Sequence, residues 1–249
     1  MTTSAQSLNQ LLAIANKAQN PKDKFLFVLV EHLGLEGEDA RAQVISILLR
    51  LIGDVETDID ALPVDDTMKA HLRRYVSPLN GLKDLTQIHM DIHNAKNHFL
   101  KADHLVGLTN VHLALTGHIE RPALSKDAKE LAESFNGLRG EIVEADLPES
   151  LKRVLLKRVS QIASILEHYY AFGAKVLEDE LEGLVGALVV SAPQNASKSG
   201  PLYKKLAKYV ATGFRVLTAV DAGFAGAVSI AENASKLIEF VEENTGGES

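Results

Sequence analysis

The feature that most constrains the fold of this chain is an unbroken stripe of apolar and small residues near its C-terminus, here called the C-terminal stripe. Its members follow one another at alternating spacings of four and three residues over more than five heptads. The twelve positions are Leu202, Leu206, Tyr209, Gly213, Val216, Val220, Gly223, Ala227, Ile230, Ala234, Leu237 and Val241. Such spacing lies along one face of an α-helix, so the stripe predicts a long helix whose apolar face must be covered.

We expect this C-terminal helix to span residues 202–243, with a flexible tail at 244–249. The middle of the stripe consists of small residues, which let two helix backbones approach closely. The candidate interaction residues are Gly213, Val216, Val220, Gly223, Ala227 and Ile230. The surface that covers them is predicted to be the body of the protein, a second copy of the chain or another protein.

Small residues at four-residue spacing also occur in transmembrane helices, so membrane insertion of residues 203–240 is the alternative interpretation. The run between Arg215 and Glu232 contains one charge, at Asp221. This run is shorter than the roughly 20 apolar residues that a single span needs, and a charge at mid-membrane costs about 3 kcal/mol. The alternative is therefore a conditional, pore-forming type of effector rather than a permanent membrane protein.

The rest of the chain shows helical periodicity and no β-hairpin signal, which predicts an all-α, multi-helix bundle body. We divide it into an N-terminal helical region at 1–120, a central helical pair at 121–190 and a linker at 191–201. The linker, SAPQNASKSGP, is predicted from its small and polar residues and its two prolines. Gly34 is expected to follow the end of the second helix, and Gly173 to kink the second helix of the central pair.

Residues 147–188 contain Leu147-Pro148-Glu149, a leucine-rich face and Gly173. This segment resembles a stretch of uncharacterised bacterial all-helical proteins. The resemblance implies a helical fold and no activity.

Six of the nine histidines lie between His89 and His118. The spacing of Leu85, Ile88, Ile92, Ala95, Phe99 and Ala102 predicts one long helix over about 79–107, with His89 and His93 on the same side. Such a pair could bind one metal ion, so a metal-dependent enzyme centred on it is the second alternative function. No third ligand is in reach on that helix, however, and we expect neither a metal nor any other cofactor.

A second candidate site is the cationic cluster Lys152, Arg153, Lys157 and Arg158 near the start of a predicted helix. Cations there oppose the helix dipole, and an unfavourable cluster of this kind indicates a site that docks an acidic partner surface or a phosphate. The interpretation that we favour is neutralisation by Glu141, Glu144 and Glu149 on a solvated face.

The charge balance argues against nucleic acid as a partner, because 26 basic against 33 acidic residues give a net charge of −7. The chain has no cysteine, and its N-terminus lacks the pattern of a secretory signal, so we expect a cytoplasmic protein. The sequence therefore predicts a non-enzymatic helical protein that associates with itself or with another protein through its C-terminal helix.

Overall fold

The computed structural model describes residues 3–84, 89–119, 126–220 and 239, and it confirms the all-α class. The helices are α1 (Ser4–Asn16), α2 (Phe25–His32), α3 (Ala40–Ala61), α4 (Asp66–Val76), a 3₁₀ helix (Ser77–Lys83), α5 (Ile92–His98), α6 (Ala102–Leu115), α7 (Lys126–Glu144), α8 (Glu149–Glu167), α9 (Tyr169–Phe172) and α10 (Ala174–Val220). Within the described residues, the one β feature is an isolated bridge between Lys24 and Asp91.

The chain forms two compact units, Met1–Ala123 and Leu124–Ser249. Helix α1 lies at the centre of the first unit, where it packs against α2, α3, α5 and α6. Leu8, Leu11 and Leu12 of α1 are fully buried on more than one side of the helix. The hydroxyl of Thr3 caps this helix by accepting a hydrogen bond from the backbone N–H of Gln6.

The prediction of one long helix over 79–107 is wrong. The described part of this segment contains the 3₁₀ helix, then α5 and the start of α6, and the carboxylate of Asp91 begins α5 by capping Asn94 N at 2.9 Å. Backbone pairing with residues 21–25 prevents a continuous helix, because Phe25 N donates to Met90 O and Ile92 N donates to Asp23 O. The apolar spacing is real, since Ile92, Ala95 and Phe99 are buried, but tertiary pairing overrides it.

The second unit is an antiparallel bundle built from α7, α8 and α10. Helix α10 has non-helical dihedral angles at Ser199 (φ −126°, ψ 29°), so it consists of a first arm at 174–198 and a second arm at 200–220. In a straight helix the 32 residues between positions 181 and 213 would span about 48 Å. Here the Cβ position of Gly213 lies 2.9 Å from Leu181 Cδ2, so the two arms fold back on each other.

The resulting order is an up-down-up-down arrangement of α7, α8, the first arm and the second arm. Arg158 of α8 contacts Glu180 of the first arm at 2.6 Å. Lys205 of the second arm contacts Glu141 of α7 at 2.8 Å, which closes the bundle. Four helices can therefore share one apolar core.

The prediction of a linker at 191–201 is wrong, because all of these residues lie within α10. Ala192, Asn195 and Ser199 are buried, so packing in the bundle selects a helix despite the small and polar composition. Pro201 is compatible with this structure because it comes directly after the break, in a first turn where a missing N–H has no helical acceptor. What remains of the linker prediction is a change of direction at one residue.

Candidate functional site

The described part of the C-terminal stripe lies in the core of the second unit. Leu206 is completely buried, and Leu202 and Val216 are each 6% exposed. Gly213 is also buried, so Gly213 and Val216 contact the chain's own bundle rather than an open face. The first half of the predicted association surface is therefore already covered.

Gly213 is a point of close approach between the two arms of α10. A Cβ atom there would lie 2.9 Å from Cδ2 and 3.0 Å from Cδ1 of Leu181, closer than ordinary carbon contacts. Because Leu181 is itself fully buried, it has little space in which to move. Glycine at this place in the stripe thus brings two backbones together inside one chain.

The two arms run in a constant antiparallel register. Tyr203 contacts Ser191, and Gly213 lies against Leu181, so each step forward on one arm matches a step back on the other. This register places Val220 opposite Ala174, the first residue of the first arm. The first arm therefore offers no residues that could pack against the stripe beyond Val220.

The described part of α7 reaches the same level. Its contacts with the second arm join Glu141 to Lys205 and the ring of Phe135 to that of Tyr209, with 5.9 Å between the ring centroids. Continued at this register, the first residue of α7, Lys126, lies beside the last turn of α10. At that end, the described part of the bundle also contains the end of α8 and the four-residue α9.

The stripe itself continues in the sequence to Val241. Three of the candidate interaction residues, Gly223, Ala227 and Ile230, lie outside the described residues, as does the side chain of Val220. Their role as an association surface stays a prediction.

The cationic cluster on α8 does not form one free docking surface. Arg158 Nη1 pairs with Glu180 Oε2 at 2.6 Å, and its guanidinium lies over the backbone of Gly183. Lys152 Nζ donates to Val143 O at 2.8 Å and lies 3.5 Å from Glu149 Oε1. Two of the four cations therefore hold α8 against its neighbours.

Arg153 and Lys157 are exposed on α8. Of the acids expected to neutralise the cluster, Glu149 does so at Lys152, while Glu141 pairs with Lys205 of the second arm. Docking of an acidic partner through Arg153 and Lys157 stays a prediction.

The histidines do not converge on one site. His89 precedes α5 and is exposed, while His93 lies in the first turn of α5 and contacts the side chain of Asn97 at 3.3 Å. They share no helix, so a spacing of four residues does not place them on one face. Among the described residues, no group of three or more His, Asp or Glu side chains could hold a metal ion.

A buried polar cluster near the break in α10 escaped the sequence analysis. The Tyr203 hydroxyl donates to Ser191 Oγ at 2.7 Å, and Ser191 Oγ donates to Ala187 O at 2.7 Å. Asn195 Nδ2 donates to Ser191 O at 2.9 Å, and the buried Ser199 Oγ has no hydrogen-bond partner. The sequence signal was the polar composition of 191–201, which we interpreted as exposure.

Burial raises the pKa of the Tyr203 hydroxyl above its ordinary value, an effect that the hydrogen bond to Ser191 opposes. The hydrogen bond to Glu141 raises the pKa of Lys205 on the same arm. Both groups thus keep their protons at neutral pH, and both hold the second arm in the bundle.

None of the helices in the described ranges is long and apolar enough to cross a bilayer. These ranges include the C-terminal stripe only as far as Val220.

No protein-family model, curated protein or solved structure matches the chain.

Proposed function

We propose that this protein is a non-enzymatic association protein that forms a homo-oligomer through the part of the C-terminal stripe after Val220. The observation that carries the proposal is the register of the second unit. The described helices α7 and the first arm end level with Val220, whereas the stripe continues to Val241 in the sequence. A stripe without intramolecular cover leaves apolar area in water at about 25 cal/mol for each Å².

The composition of this second half of the stripe supports a helical partner of the same kind. Val220, Gly223, Ala227, Ile230 and Ala234 keep the heptad spacing of the buried half. The contact of Gly213 with Leu181 demonstrates how a glycine in this stripe accommodates a neighbouring helix. A second copy of the chain offers the same pattern, and identical stripes can pair about a twofold axis.

The test compares two substitutions of the same residue type at neighbouring positions. Ala227 belongs to the stripe, whereas Ala225 lies two residues earlier and about 200° around a helix. Multi-angle light scattering of the full chain should give a mass above the 27.0 kDa of one copy. Ala227→Glu should lower that mass, because it buries a charge in the contact, and Ala225→Glu should leave it unchanged.

A wild-type mass of one copy, or equal behaviour of the two variants, would refute the proposal. Release of dye from anionic liposomes by a monomeric wild type, abolished by Ala227→Glu only, would favour the pore-forming alternative instead.

A further inference from the structure

Helix α10 is interrupted at a single residue, and that residue lies between two arms that are otherwise helical. Ser199 has non-helical dihedral angles, while the residues on both sides of it belong to α10. Changing the dihedral angles of Ser199 to helical values would convert the two folded arms into one continuous helix. The second arm would then leave α7 and the first arm of its own chain.

We propose that two copies of this chain exchange their second arms, so that residues 200–220 of each copy complete the bundle of the other. The inference goes beyond the proposed function, because it concerns the arm before Val220 and not the stripe after it. Exchange also carries the remainder of the C-terminal stripe, from Val220 onwards, across to the partner.

When a second arm leaves its own bundle, the segment that replaces it must make the same contacts. An identical arm brings Lys205 to Glu141, Tyr209 to Phe135 and Gly213 to Leu181. The contact at Gly213 leaves no room for a Cβ atom, so an arm with another residue there would not fit. Exchange therefore preserves every contact of the arm and changes only the hinge and the number of chains.

Two features of the hinge set the balance between the closed and exchanged forms. In the closed form, Ser199 Oγ is buried without a hydrogen-bond partner, which destabilises that form. In a continuous helix, Pro201 would lack an N–H donor and would clash with the carbonyl of residue 197, which destabilises the exchanged form. Pro201 is thus the residue that keeps the arms folded back.

Pro193 provides a matched control because it also lies inside α10 but is exposed and belongs to the first arm. Its environment is helical in both forms. Pro201→Ala should increase the exchanged fraction at least about tenfold, since it removes the cost of an interior proline from that form alone. Pro193→Ala should leave the fraction unchanged.

Exchange can be detected by cross-linking, since the chain has no cysteine of its own. A chain with Glu141→Cys and a chain with Lys205→Cys are mixed, unfolded, refolded together and treated with a short bis-maleimide. Because these side chains lie 2.8 Å apart in one bundle, a cross-link between chains reports exchange. A mixture of Glu133→Cys and Lys205→Cys, with Glu133 about 12 Å further along α7, measures random collision.

We expect a cross-link between the first two chains, well above the collision control and increased by Pro201→Ala only. A stable dimer without this cross-link would refute the exchange and leave the proposed association through residues after Val220. Cross-linked chains whose assembly has the same mass with and without Ala227→Glu would refute the proposed contact and retain the exchange. A monomer under all conditions would refute both.

Discussion

At the scale of single residues, the second unit depends on glycines that bring a neighbour against the helix backbone. A Cβ atom at Gly183 would lie 2.5 Å from the guanidinium carbon of Arg158, and one at Gly213 would lie 2.9 Å from Leu181. Gly186, between them in the chain, has open space around it. Gly213 and Gly186 are thus both helical glycines, but only Gly213 has a neighbouring side chain in the space that a Cβ atom would occupy.

Gly213→Leu should lower the free energy of unfolding by about 1–3 kcal/mol, because the added side chain overpacks the contact with Leu181. Gly186→Leu should raise it by up to about 1 kcal/mol, because leucine favours the helix more than glycine does. Urea unfolding followed by circular dichroism measures both. Equal effects of the two substitutions would contradict the intramolecular packing of the stripe.

At the scale of elements, α10 combines apolar packing with a buried polar cluster beside its break. Tyr203 and Ser191 join the second arm to the first arm of the same bundle by a side-chain hydrogen bond. Lys198, close to the break, also lies 3.8 Å from Asp146 in the loop between α7 and α8. The hydrogen bond is the stronger restraint because Tyr203 is completely buried, whereas this ion pair is exposed.

Tyr203→Phe should therefore destabilise the second unit by about 0.5–1.5 kcal/mol through loss of this hydrogen bond. Tyr209→Phe is the control, because it retains the ring contact with Phe135 and should have a smaller effect. Urea unfolding midpoints at neutral pH measure the difference. A Tyr203→Phe variant as stable as the wild type would show that the hydroxyl pair does not hold the arms together.

At the scale of the whole molecule, the second unit contains groups that bind their protons more tightly in the fold than in the unfolded chain. Burial raises the pKa of Tyr170 from 10.0 to about 12, and burial also raises the pKa of Tyr203. Hydrogen bonds to Glu178 and Asp179 raise the pKa of Lys175. A group with a raised pKa in the folded state contributes stability below its unfolded pKa and loses it as the pH rises through the folded value.

All of these shifts have the same sign, so the stability of the chain should fall as the pH rises past about 10, the ordinary pKa of tyrosine and lysine. Unfolding by urea between about pH 8 and about pH 11 tests this expectation. Tyr170→Phe should reduce the loss, because phenylalanine has no proton to release. A free energy of unfolding that rises over this range would contradict the expectation. An equal fall in the Tyr170→Phe variant would show that Tyr170 does not contribute to it.

Several local features were predictable because neighbouring residues cause them. Gly34 follows α2 with a φ of 59°, and Gly173 separates α9 from α10 with a φ of 79°; glycine adopts such angles at little cost. Leu147-Pro148 precedes α8, as a proline at a helix start predicts. Of the candidate site, the close approach at Gly213 followed from the small residues of the stripe, but its partner Leu181 did not.

The helical class and the apolar faces were predictable from the sequence alone, because periodicity and turn residues act over a few positions along the chain. The residues that those faces contact depend on packing between elements that are distant in sequence. Pairing of Met90 and Ile92 with residues 21–25 replaced the long histidine-rich helix, and burial of Ala192 and Asn195 made a helix of the apparent linker. Both depend on residues distant in sequence, whose contacts offset local preference once the core assembles.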